Sequence, residues 1–169
     1  MFSKTDVEAY FNGEKSESLF FMIAGLVALV SAILLFFVLK HAWAKGASLP
    51  VFLVGLIMAV VGYNVFSRSD AQRKDIVYKM DMDTEALTLQ EIPRMEQVMV
   101  NFAYYRYTEI FLLATGIILF LVFRTKINGQ WWTGLGLSLA FMAAVMLIAD
   151  GFAERRGRTY LEGLKQYAK

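Results

Sequence analysis

The sequence predicts an all-α polytopic membrane protein, with four transmembrane helices and a helical extramembrane segment between the second and the third. Three observations carry that expectation. Of 169 residues, 57% are hydrophobic and only 19% are charged, below the roughly 25% charge of soluble domains. The apolar residues fall in uncharged runs covering residues 18–39, 46–67, 110–123 and 127–149. Charged residues gather between and beyond these runs, so the apolar stretches are set apart as blocks instead of alternating along an amphipathic face.

The organisation expected from this pattern is an N-terminal amphipathic segment over residues 1–17, spans one and two over 18–67, an extramembrane helical segment over 68–102, spans three and four over 103–151, and a basic tail over 152–169. At the N-terminus, Val7, Tyr10 and Phe11 stand before Asn12-Gly13 and read as a short amphipathic turn, with Ser3 and Asp6 at capping-box spacing. The first uncharged run, 22 residues long, exceeds the roughly 7 to 15 residues of a signal core, so Ala42-Trp43-Ala44 reads as loop and not as a cleavage site. Ser48 followed by Pro50 predicts the start of the second span, with proline in the first turn where its missing N–H costs nothing.

The third run has only 14 uncharged residues, too few for a hydrocarbon core of about 30 Å. It is therefore extended backwards through residues 103–109, which brings Arg106 and Glu109 onto one helical face at pairing distance. Asn128-Gly129 predicts a tight turn into the fourth span. Trp43, Trp131 and Trp132 mark one interface, and Tyr63, Tyr104, Tyr105 and Tyr107 the other.

Within residues 68–102, Met95, Val98, Met99 and Phe102 recur at three- and four-residue steps. That periodicity predicts a helix starting near Pro93 and running unbroken into the third span. Before Pro93 the stripe is less regular, and two helices meeting near Asp81, Asp83 and Glu85 are expected. Methionine-rich faces repack easily, so Met80, Leu87, Met95 and Met99 are either core or a surface for docking a partner. In the tail, Tyr160, Leu161, Leu164 and Tyr167 predict a short interfacial helix.

Four spans put both termini and residues 68–109 on one side, with thirteen basic residues there against four on the other. The positive-inside rule then predicts cytoplasmic termini in a plasma (inner) membrane. The absence of cysteine and the single histidine, His41, exclude thiolate chemistry, iron–sulfur clusters and multi-histidine metal sites within one chain. Neither a cofactor nor a metal is expected. Asp81, Asp83 and Glu85 alternate like the opening of a calcium loop, yet Ala86 and Ile92 stand where glycine and a bidentate glutamate belong. A net charge of +2 shows no excess pointing to nucleic acid.

The candidate site gathers at one membrane depth: Asn64 late in the second span, Arg106 and Glu109 early in the third, Asp150 and Glu154 ending the fourth. Ionisable groups there are costly unless paired or hydrated. Ala24, Ala28 and Ala32, then Gly55 and Ala59, then Gly136, Ala140 and Ala144 permit close helix approach, within the chain or between copies. Three functions follow as expectations. The first is an accessory, assembly or immunity-type subunit that binds a protein partner through its extramembrane helices. The second is a homo-oligomeric ion or proton channel, or a transporter component, using Glu109 and Asp150. The third is a membrane enzyme acting on a lipophilic substrate, with Arg106 as anion clamp.

Overall fold

The computed structural model describes residues 2–168, and these form four long helices joined by short connections. Helix α1 spans Lys4–Phe37 and α2 Ala42–Met82; a single turn, α3 (Thr84–Ala86), and a π-helical turn (Leu87–Glu91) lead into α4 (Ile92–Phe123), and α5 spans Gln130–Tyr167. All four long segments are long and apolar enough to cross a membrane. At 1.5 Å per residue, the 41 residues of α2 measure about 60 Å, twice the hydrocarbon thickness.

Several boundaries differ from the sequence expectation. The N-terminal segment is no separate turn, because α1 runs unbroken through Asn12-Gly13. Gly13 is placed there by a neighbour: a Cβ on it would stand 3.3 Å from Cδ of Arg156 on α5. The capping spacing is used, with the Asp6 carboxylate accepting from the Ser3 amide at 2.8 Å. Helix α2 begins at Ala42, and Pro50 lies inside it. Residues 42–49 are held helical by packing: a Cβ on Gly134 of α5 would meet the Trp43 backbone, so the two helices touch without side chains between them. Ser48 is no cap, and its hydroxyl donates to the Lys45 carbonyl at 2.7 Å. Likewise the tail is the end of α5 and not a separate interfacial helix.

Other boundaries fall where the sequence puts them. The chain breaks at Asp83, within the acidic cluster, where φ is −154° and ψ is 71°. Pro93 occupies the first turn of α4, which continues without interruption to Phe123. The Gly129 amide closes the last turn by donating to the Lys126 carbonyl at 2.9 Å.

The helices pair as two antiparallel hairpins, α1 with α2 and α4 with α5, and the hairpins join through parallel α2 and α5. Helix α1 touches α5 only sparingly. In the apolar section, glycine and alanine make the joints. A Cβ on Gly25 would lie 2.5 Å from the Ala59 amide nitrogen, and one on Gly116 the same distance from that of Ala140. These small residues therefore serve contacts within the chain. At the charged end, Val7, Tyr10, Phe11, Ile76, Met80, Leu87, Met95, Tyr160, Leu161 and Leu164 form one core drawn from every long helix.

Candidate functional site

Helices α4 and α5 bring four of the five candidate residues together where the apolar section meets the charged end. Glu109 and Asp150 face one another across the α4–α5 interface. Glu109 is only 7% exposed, and among the described residues no polar atom bonds its Oε2. One turn further, Glu154 accepts from Arg106 Nη1 at 2.9 Å and from Arg158 Nη2 at 2.8 Å. The intrahelical Arg106–Glu109 pairing expected from spacing gives way to this interhelical one with Glu154. Asn64 does not join them: it is exposed on the outer side of α2.

A second polar constellation, of which the sequence gives little sign, lies inside the core of the charged end. Glu91, the last residue of the π-helical turn, is 4% exposed. Its carboxylate accepts from Arg94 Nε and Nη2, both at 2.7 Å, and from the Tyr160 hydroxyl at 3.1 Å. The Tyr160 ring stacks on Tyr10 with centroids 4.0 Å apart, and the Tyr10 hydroxyl points at Met95 Sδ, 3.9 Å away. Bidentate charge-assisted bonds are strong and directional, and a buried carboxylate without them would be costly. The hydrogen bonds from Glu91 hold the Arg94 guanidinium more firmly protonated than usual. Burial pushes both the Tyr10 and the Tyr160 hydroxyls above the ordinary tyrosine range. Only the three-residue step from Glu91 to Arg94 was open to reading, since Tyr160 lies 69 residues away in sequence.

The four methionine-stripe candidates turn inward. Met80, Leu87 and Met95 are 5%, 1% and 0% exposed, and Met99 is half-buried with its methyl group against Gly157. The π-helical turn suits this stripe, because its wider winding offsets the drift that four-residue steps accumulate in an α-helix. Two of the three carboxylates of the calcium-like spacing are also engaged. Asp81 pairs with Lys4 at 2.6 Å, and Asp83 caps α3 by accepting from the Ala86 amide at 3.0 Å. Among the described residues, no three histidine, aspartate or glutamate side chains converge as a metal site would require.

Ion pairs knit the charged end together. Lys15 bonds Asp70, Arg156 bonds Glu17, and Lys165 bonds Glu96. The Tyr167 hydroxyl donates to the Met80 carbonyl at 3.0 Å, tying the end of α5 to α2. Comparison with protein-family models, with curated proteins and with solved structures finds no match to this chain.

Proposed function

We propose that this chain is a small integral membrane protein acting as a binding or accessory subunit, of the assembly or immunity type. Its charged end stands outside the bilayer as a helical head carrying the partner surface. One observation supports this above the rest: the ends of all four long helices pack around a single core, while large apolar side chains stay outside it. Tyr78, Met82 and Leu89 are 63%, 72% and 67% exposed. Tyr78 and Met82 sit four apart on the side of α2 opposite Met80, so they share an outward face. The docking role thus passes from Met80, Leu87, Met95 and Met99, which build the head, to this outer set. The thirteen-to-four distribution of basic residues supports a cytoplasmic head and cytoplasmic termini in a plasma (inner) membrane.

The channel and lipid-enzyme readings have less behind them. Beyond Glu109 the rest of the third span, residues 110–123, carries no ionisable group, so the carboxyl pair has no ionisable continuation along α4. The faces around Ala28, Gly55, Ala59, Gly136 and Ala140 that could join copies are occupied within the chain. Arg106, the anion clamp of an enzyme reading, is held by Glu154.

A photo-crosslinking residue introduced at position 82 tests the proposal in native membranes. A discrete protein adduct is expected from position 82, weakened by Leu89→Ser and absent when the crosslinker stands at position 127 at the other end. Lack of any adduct from positions 78, 82 and 89 would overturn the docking role.

A further inference from the structure

Helices α1 and α5 both lean on α2 and leave a cleft between them where the apolar section ends. Its volume is about 310 Å³, and its walls are Phe20 and Phe21 of α1 with Ala149 and Phe152 of α5. Ser16 and Glu17 form the rim, and above it Arg156 of α5 reaches across to pair with Glu17. Arg156 and Arg155 stand four and three residues beyond Phe152, so each neighbours that wall residue on the helix surface, Arg156 on the α1 side and Arg155 on the exposed outer side.

We propose that this cleft binds one phospholipid of the adjoining leaflet, an acyl chain lying along Phe20, Phe21 and Phe152 and the phosphate against Arg155. The chemistry of the walls selects a lipid over a second transmembrane helix. Helices associate in membranes through small residues that let backbones approach, and Gly25, Gly55, Gly116 and Gly136 already serve this chain's own joints. Bulky phenylalanines around an open slot offer instead the dispersion contacts that a flexible hydrocarbon chain follows. The charges agree. The Glu17 carboxylate is neutralised by Arg156, while Arg155 is exposed and has no ion-pair partner among the described residues. An unpaired arginine at headgroup depth attracts phosphate. This site is independent of the docking face on α2, and either stands if the other fails.

Native mass spectrometry of the full chain from detergent, with dioleoylphosphatidylglycerol, dioleoylglycerol and inorganic phosphate as probes, tests the site. Wild type should retain one phosphatidylglycerol, and Ala149→Phe, which fills the slot, should lose it with helix content unchanged by circular dichroism. Arg155→Gln should weaken phosphatidylglycerol roughly tenfold and leave dioleoylglycerol unaffected. Should Ala149→Phe unfold, the pair Phe20→Ala and Phe152→Ala decides the matter, because both rings are largely exposed and their loss spares the core. Equal retention by the cleft variants, equal retention of the phosphate-free lipid, displacement by inorganic phosphate, or no bound lipid in the wild type would each overturn the proposal.

Discussion

The apolar section and the charged end solve the same packing problem by opposite means. In the apolar section helices meet backbone to backbone at Gly25, Gly55, Gly116 and Gly136, and the large side chains point outward. At the charged end Phe11, Leu87, Met95 and Leu164 fill the interior, and of the charged groups only the paired Glu91 and Glu154 are buried with them. The placement proposed above, with the apolar section in lipid and the charged end in water, accounts for the difference through the solvent. Burying a leucine gains little when lipid is as apolar as the protein, so close contact must supply the cohesion. In water the removal of apolar area drives packing, and bulky residues belong inside. One continuous helix such as α1 thus changes its packing rule partway along, near Ser18.

Substitutions should divide along the same line. The largest effect is expected from Arg94→Ala in the head, which strips the buried Glu91 carboxylate of two of its three donors. Removing one partner of a buried ion pair costs about 3 kcal/mol or more, measurable as a lower midpoint in denaturant titration followed by circular dichroism. Next, Gly25→Val should cost about 1–3 kcal/mol, because its Cβ would stand 2.7 Å from the Gly55 carbonyl oxygen. Gly151→Ala, with nothing within 4 Å of the added carbon, should be neutral or stabilising by up to about 1 kcal/mol. If both glycine changes behaved alike in a thermal melt, close backbone approach would not be what joins α1 to α2.

A pH effect comes third. Tyr10 and Tyr160 have hydroxyls pushed above the usual tyrosine value of 10.0 by burial. Between that value and the raised folded one, the folded head holds protons that the unfolded chain releases. Stability is therefore full below the usual value and falls as pH rises beyond it. Ultraviolet titration of the 8 tyrosines should show a late step coinciding with loss of structure, and Tyr10→Phe with Tyr160→Phe should remove that step. The smallest effect belongs to the half-exposed Lys4–Asp81 pair, where Lys4→Ala should change stability by less than about 1 kcal/mol in the same denaturant titration.

What could be read in the sequence was what a single helix records about itself. Four uncharged runs gave four helices, Asn128-Gly129 gave a turn, and the acidic cluster gave the break at Asp83. Punctuation marks misled where a neighbouring helix used them. Gly13 makes room for Arg156, and Pro50 is carried inside α2 while the residues before it are packed against α5. The candidate site divides in the same way. Three-residue spacing placed Arg106 beside Glu109, yet the register between α4 and α5 hands Arg106 to Glu154. The Glu91–Arg94–Tyr160–Tyr10 set joins α1, the π-helical turn, α4 and α5, and no local periodicity encodes how far one helix slides along another.

Sidedness tests the account most directly. The chain has no cysteine, so single cysteines at positions 12, 82, 127 and 162 can be probed one at a time with a membrane-impermeant maleimide on sealed vesicles. Positions 12, 82 and 162 are expected to label from one face and position 127 from the other. Labelling of positions 82 and 127 from the same face, or of 12 and 162 from opposite faces, would contradict four crossings with a single head.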